Sequence, residues 1–174
     1  MTKNINQNGL IDRTNLAPSF TYVGRLPDAL SDENREYIND IFVSKNLFIV
    51  RFQRALSDGR VTGRSQFEMP IEALSWVVDS IEKMFERKPS ESGLSKDVQH
   101  LDKQFDGEHI ELRYGVSVAG EGIGGYTLTN FNRDCYILPG EASQTFSFAL
   151  DIWHDHAKAM FKDIIRRHNA GEFA

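Results

Sequence analysis

Residues 47–70 read LFIVRFQRALSDGRVTGRSQFEMP, and this stretch decides the fold class. Side chains alternate across an extended strand, so Phe48, Val50 and Phe52 share one face. Ile49, Arg51 and Gln53 take the other. Ser57, Asp58 and Gly59 supply the turn chemistry of a hairpin. The returning strand, from about Arg60 to Met69, places Val61, Gly63, Ser65, Phe67 and Met69 on one face. Thr62, Arg64, Gln66 and Glu68 take its opposite face. Pro70 stands where a helix begins, a position at which its missing N–H costs nothing. Ile71, Leu74, Val77, Val78, Ile81, Met84 and Phe85 then recur at helical spacing. Lys88, Pro89 and the serines up to Ser95 end that helix and form a linker.

The same plan recurs downstream. A strand is expected over Leu101 to Phe105, with a second hairpin signal at Asp106 and Gly107. Ile110, Leu112, Tyr114, Val116 and Val118 alternate across the next strand. The glycine-rich run from Gly120 to Gly125 leads into a strand over Tyr126 to Phe131. Cys135 to Leu138 is expected as a short fourth strand. A long helical segment follows, its apolar stripe made of Trp153, Ala157, Met160, Phe161, Ile164 and Ile165; Phe146 to Leu150 fits strand or helix equally. Upstream, Ser31 reads as an N-cap and Asp32 and Glu33 as first-turn acids. Tyr37, Ile38, Ile41 and Phe42 then predict a helix over about 32–44.

The expected architecture is therefore α+β: antiparallel sheets with amphipathic helices, built as a duplicated strand-meander-plus-helix unit. Phe67-to-Ala73 aligns by eye with Tyr136-to-Ala142, and both helices carry a Met-Phe pair, Met84-Phe85 and Met160-Phe161. The units span 45–88 and 96–168, inside a single domain over 30–174. Residues 1–29, rich in Asn, Thr and Pro, are expected as a flexible arm with a short strand at Phe20 to Val23.

Composition bounds the function. The 174 residues carry 20 Lys and Arg against 25 Asp and Glu, a formal net charge of -5. Such a chain is not a polycation, so binding to nucleic acid needs a local basic face. The lone Cys135 excludes an internal disulfide framework and a multi-cysteine zinc site, and it is expected as a buried, inert thiol. Met1 to Gly9 is polar and unlike a signal peptide, and no run approaches the ~20 apolar residues of a membrane helix. A cytoplasmic protein is expected.

Catalytic signatures are missing. There is no Gly-x-Ser-x-Gly elbow and no His-Glu-x-x-His helix. Asp151 and His154 are three apart and can share a helix face, but His154 and His156 point apart and two ligands are too few for a metal. The run from Gly120 to Gly125 lacks the Lys-Ser/Thr ending of a phosphate loop. A non-enzymatic binding protein without cofactor or metal is expected; a small enzyme using the Asp151/His154 region is the third alternative.

A strand meander closed by a Pro-initiated amphipathic helix resembles the superfamily that includes the transcription coactivator positive cofactor four, the Whirly proteins and the Pur-alpha repeats. Phe48 to Arg54, Asp58 to Met69 and the helix from Pro70 to Phe85 carry the likeness, which extends over about 45–168. The resemblance implies sheets that bind single-stranded nucleic acid, where cations track phosphates and aromatics stack on bases. Between Lys45 and Met69 five basic residues (Lys45, Arg51, Arg54, Arg60, Arg64) face two acids (Asp58, Glu68). Those five and Gln66 are the expected binding residues, with Phe48 and Phe52 assigned to the core and the protein acting as a homo-oligomer. The second unit departs from the pattern: Asp97, Asp102, Asp106, Glu108, Glu111, Glu121 and Asp134 outnumber Lys96, Lys103, Arg113 and Arg133. An acidic face of that kind suits a basic protein partner. A protein-binding module (inhibitor, immunity-like protein or adaptor) is accordingly the rival expectation.

Overall fold

A computed structural model describes residues 9–91, 93–95, 98–118 and 120–173. Two four-stranded antiparallel meanders, each followed by a helix, make up the secondary structure of the described residues. The first sheet joins β1 (Thr21–Leu26), β2 (Arg35–Val43), β3 (Leu47–Leu56) and β4 (Val61–Pro70) in chain order. Helix α1 (Ala73–Ser80) follows and widens into a π turn at Ile81–Phe85. The second sheet joins β5 (His100–Phe105), β6 (Glu108–Gly115), β7 (Gly125–Asp134) and β8 (Ser143–Ala149). A short helix α2 (Leu150–Ile152), a π turn (Trp153–Ala157) and α3 (Lys158–Asn169) run on from it. This is the expected α+β architecture, and its repeated order is consistent with a duplicated unit.

The hairpins form where the turn residues stand. Asp106 and Gly107 both adopt positive φ, 46° and 79°, the twist that a two-residue hairpin needs. Phe48 and Val50 of β3 and Phe67 and Met69 of β4 fill the core, with Phe52 half-buried against it.

Three expectations are corrected. The helix read over 32–44 is strand β2. Its Ile41, Phe42 and Val43 are consecutive and all buried, Ile41 and Val43 toward the main core and Phe42 on the opposite face beside Ile11 and Ile49. A strand buried on both faces loses its period of two, and the remaining apolar spacing mimics a helix. The fourth strand of the second sheet is Ser143–Ala149, not Cys135 to Leu138. Cys135 to Leu138 lies in the β7–β8 connection, where Cys135 is half-buried and Ile137 and Leu138 are exposed. Each helix thus follows the last strand of its own sheet, β4 for α1 and β8 for α2, so the by-eye match of Phe67-to-Ala73 to Tyr136-to-Ala142 is displaced from the strand-to-helix junction of the second unit.

The helices cross between units. Trp76 of α1 meets Phe105 of β5, and Phe85 meets Tyr126 of β7. Conversely Phe161 of α3 packs edge-on against Phe48 of β3. One continuous apolar cluster therefore includes residues of both sheets and both helices. Burial of this kind is the main favourable term in folding, and here neither unit completes it alone.

A buried polar seam joins the sheets. β4 is an edge strand of the first sheet, and at Glu68 its edge is met by side chains of the second. The Glu68 N–H donates to Gln144 Oε1 at 2.7 Å, and Asn130 Nδ2 donates to the Glu68 carbonyl at 2.8 Å. The β7 irregularity between Asn130 and Asp134 brings Arg133 into the same seam. Its guanidinium grips Glu108 bidentately, both contacts at 2.7 Å, and also donates to Glu68 Oε2. Tyr136 and Gln66 donate to Glu68 Oε1 at 2.9 and 2.7 Å.

Candidate functional site

The outer face of the first sheet, turned away from the main core, holds the candidate site. Register places Asp40 of β2 opposite Arg25 of β1 and opposite Arg51 of β3, with Arg51 opposite Gln66 of β4. Ahead of β1, residues 9–20 fold back over part of this face. The Ile11 N–H donates to Gln66 Oε1 at 2.9 Å, and Ile11 packs with Phe42 and Ile49. That covering leaves a groove of about 450 Å³ whose charged lining is Asp12, Arg13, Arg25, Asp40, Arg51 and Arg64.

Electrostatics give the groove its sign. Asp40 is 1% exposed and stands among three arginines. Arg25 Nε donates to its Oδ1 at 3.0 Å; Arg13 lies 3.6 Å away and Arg51 3.8 Å away. One carboxylate cannot neutralise three guanidiniums. Arg64 adds a fourth, exposed and without an ion pair among the described residues, and Asp12 a second carboxylate. Within the groove lining four cations face two anions, and Glu36, 4.0 Å from Arg25 just outside it, trims that excess of two to one. The hydrogen bond to Asp40 raises the Arg25 pKa, whereas burial and then the neighbouring charge of Arg64 lower that of Arg51. Asp12 is held below the usual carboxylate range by hydrogen bonds from Thr14. The Arg13 guanidinium also lies over the Tyr22 ring, 4.6 Å from its centroid.

The six residues singled out from sequence separate into groups. Arg51 and Arg64 meet in the groove. Gln66 lies beneath it, 1% exposed, its amide engaged by Ile11, Gly9 and Glu68. Arg54 is exposed but on the opposite face, stacked over Tyr37 at 4.8 Å. Arg60 sits in the β3–β4 turn, 3.7 Å from Asp58. Lys45 is exposed in the β2–β3 turn, at the other end of the sheet. Arg13 and Arg25 escape a reading of the sequence because neither lies in a basic run; only chain folding brings them to Asp40.

The acids of the second unit are less available than their number suggests. Glu108 is buried against Arg133, Asp102 faces His109 at 3.0 Å, and Glu111 lies 3.3 Å from Arg113. Lys96 and Asp97 fall outside the described residues. His154 faces Glu86 at 3.8 Å, and no three His, Cys, Asp or Glu side chains gather as a metal site among the described residues. Among them, too, no helix is long and apolar enough to cross a membrane.

Comparison of the chain with models of known protein families and with curated proteins finds no match.

Proposed function

We propose that this chain binds single-stranded nucleic acid, with the arginine groove on the outer face of the first sheet receiving the phosphates. The carrying observation is the crowding of Arg13, Arg25 and Arg51 around the single buried carboxylate of Asp40, with Arg64 alongside. Guanidiniums held this way are pre-positioned, so little side-chain freedom is sacrificed when phosphate oxygens arrive. The duplicated meander-plus-helix order agrees with the superfamily of positive cofactor four, the Whirly proteins and the Pur-alpha repeats, which supports a single strand over a duplex. Tyr22, 36% exposed on the same face, is available for stacking beneath Arg13.

The test is fluorescence anisotropy of a labelled single-stranded oligonucleotide at low and moderate salt. Binding is expected to weaken steeply with salt. Arg13→Ala with Arg64→Ala is expected to lower affinity about tenfold or more and to flatten the salt slope by about one for each phosphate left without its arginine. Absence of salt-sensitive binding at micromolar protein, or binding indifferent to the double variant, overturns the proposal. A stable protein partner that survives nuclease treatment would instead favour the protein-binding module.

A further inference from the structure

The arginines of the groove are not equally committed. Arg25 is held by Asp40, its guanidinium donating to both carboxylate oxygens at 3.0 and 3.5 Å. Arg51 is held far less. It is 8% exposed and lines the groove, yet among the described residues its guanidinium makes one hydrogen bond, to the neutral amide of Gln53 at 3.1 Å. Asp40 lies 3.8 Å from it, beyond hydrogen-bond reach. Arg13, 3.6 Å from Asp40, and Arg64 also donate to no carboxylate among the described residues. The second acid of the groove does not make up the difference. Asp12 Oδ1 accepts the Thr14 N–H and hydroxyl at 2.9 and 2.7 Å, and no described guanidinium forms an ion pair with it.

Arg51 is therefore a buried cation short of counter-charge. An arginine does not escape by giving up its proton, and a charge taken out of water is costly unless it is matched. Burial and the charge of Arg64 lower the Arg51 pKa, and Asp40 and Asp12 offset only part of that. The charge of Arg13 reaches Arg51 as well, so the guanidiniums converge on one spot instead of lying in a row. A groove that tracks a strand needs cations beside successive phosphates. The first sheet does not prolong this cluster. Lys45 stands at its other end, Arg54 on its opposite face, and Arg35 and Arg60 lie 3.5 and 3.7 Å from Asp32 and Asp58. Residues 10–14 form part of the groove wall.

We infer that the groove selects the terminal phosphate of a strand, a phosphomonoester at its 5′ or 3′ end, over the phosphodiesters within the chain, an inference that rests on the single-strand reading of the groove. The two groups differ in charge and in acceptors. An internal phosphodiester carries one negative charge and two non-bridging oxygens. A terminal phosphomonoester carries about −1.5 to −2 at pH 7 and three strong acceptor oxygens. Arg13, Arg51 and Arg64 have N–H groups to spare, and three guanidiniums around one point match three oxygens and the higher charge. A phosphate seated there supplies the anion that Arg51 lacks.

The experiment compares one sequence in four forms, each labelled at an internal base: 5′-phosphorylated, 3′-phosphorylated, hydroxyl-ended, and closed into a ring. Fluorescence anisotropy at fixed ionic strength is the readout. At least one phosphorylated form is expected to bind about tenfold tighter than the hydroxyl-ended strand, the worth of one further charge-assisted hydrogen bond. Whichever form does so identifies the end that is bound. The ring, which has no end, is expected to bind no better than the hydroxyl-ended strand. Arg64→Gln, a change at an exposed position, is expected to reduce the preference roughly threefold or more, a ratio that a general loss of stability would not move. Equal binding of all four forms overturns the inference and leaves the single-strand reading standing. So does a preference that Arg64→Gln does not alter. If no form binds, the reading of the groove falls and the inference falls with it.

Discussion

Replacing Arg133 with Met tests the seam between the sheets. Arg133 is 3% exposed and is shared by Glu68 and Glu108, themselves 0% and 4% exposed. Met matches much of the arginine stem in volume, so the cavity term is small. What remains is two carboxylates with their cation removed, out of reach of water. Removing one partner of a buried ion pair costs about 3–5 kcal/mol, and here two partners are stranded by one change. The expected loss is therefore at the upper end, about 4–5 kcal/mol. That is a large part of the ~5–15 kcal/mol by which domains are stable. With a urea slope of about 2 kcal/mol per M, the unfolding midpoint should fall by roughly 2 M, read by circular dichroism and tryptophan fluorescence together. The companion variant Glu68→Gln/Glu108→Gln/Arg133→Met removes the stranded charges and keeps hydrogen-bonding groups for Tyr136, Gln66 and Asn130. It should recover at least about 2 kcal/mol, a non-additivity expected only of groups in one network. If Arg133→Met unfolds within about 1 kcal/mol of the parent protein, the level to which exposed pairs are confined, the seam is not a buried charge network and the reasoning fails.

Three further outcomes follow from named contacts. Asp40→Asn should destabilise the protein, because three arginines lose their shared carboxylate, while tightening oligonucleotide binding as the groove gains one net positive charge; loss of both stability and affinity would contradict the groove as an anion site. Gly125→Ala should cost about 1–3 kcal/mol or more by thermal melting, since the added Cβ would stand 2.3 Å from the Phe148 carbonyl oxygen, a backbone atom that cannot swing away. Hydrogen bonds from Lys158 and Lys162 lower the pKa of Glu82. A lowered carboxyl pKa contributes stability above the unfolded value of about 4.5 and loses it as pH falls through the lower folded value. Glu82→Gln should thus be less stable than the parent at pH 7, by up to about 1 kcal/mol, and indistinguishable from it near pH 2 by urea denaturation.

The candidate sites are legible in the sequence only in part. That Arg51 and Arg64 share a sheet face follows from alternation alone, as does the assignment of Phe48 to the core. Nothing local distinguishes Arg51, 8% exposed beside Asp40, from Arg54, exposed on the other face. Arg13 and Arg25 have no signal in composition, because their role depends on an aspartate 27 and 15 residues further along. Glu68 reads as a solvated carboxylate on a polar strand face, and it is among the most deeply buried charges in the protein. Its partner Arg133 counts in the sequence as one basic residue in an acidic stretch.

Short-range chemistry by itself determined the strands with one buried face, the Asp-Gly turns and the helix stripes, since periods of 2 and 3.6 and the conformational freedom of glycine act within a few residues. Tertiary structure alone decided the rest. β2 escaped its pattern because residues 9–20 bury its second face, and β8 was obscured by an exposed apolar loop just before it. The crossing of each helix onto the opposite sheet, the Arg133 seam and the gathering of arginines around Asp40 all arise from contacts between residues far apart in the chain. Burial and charge neutralisation depend on what arrives from elsewhere, and a local pattern carries no record of that.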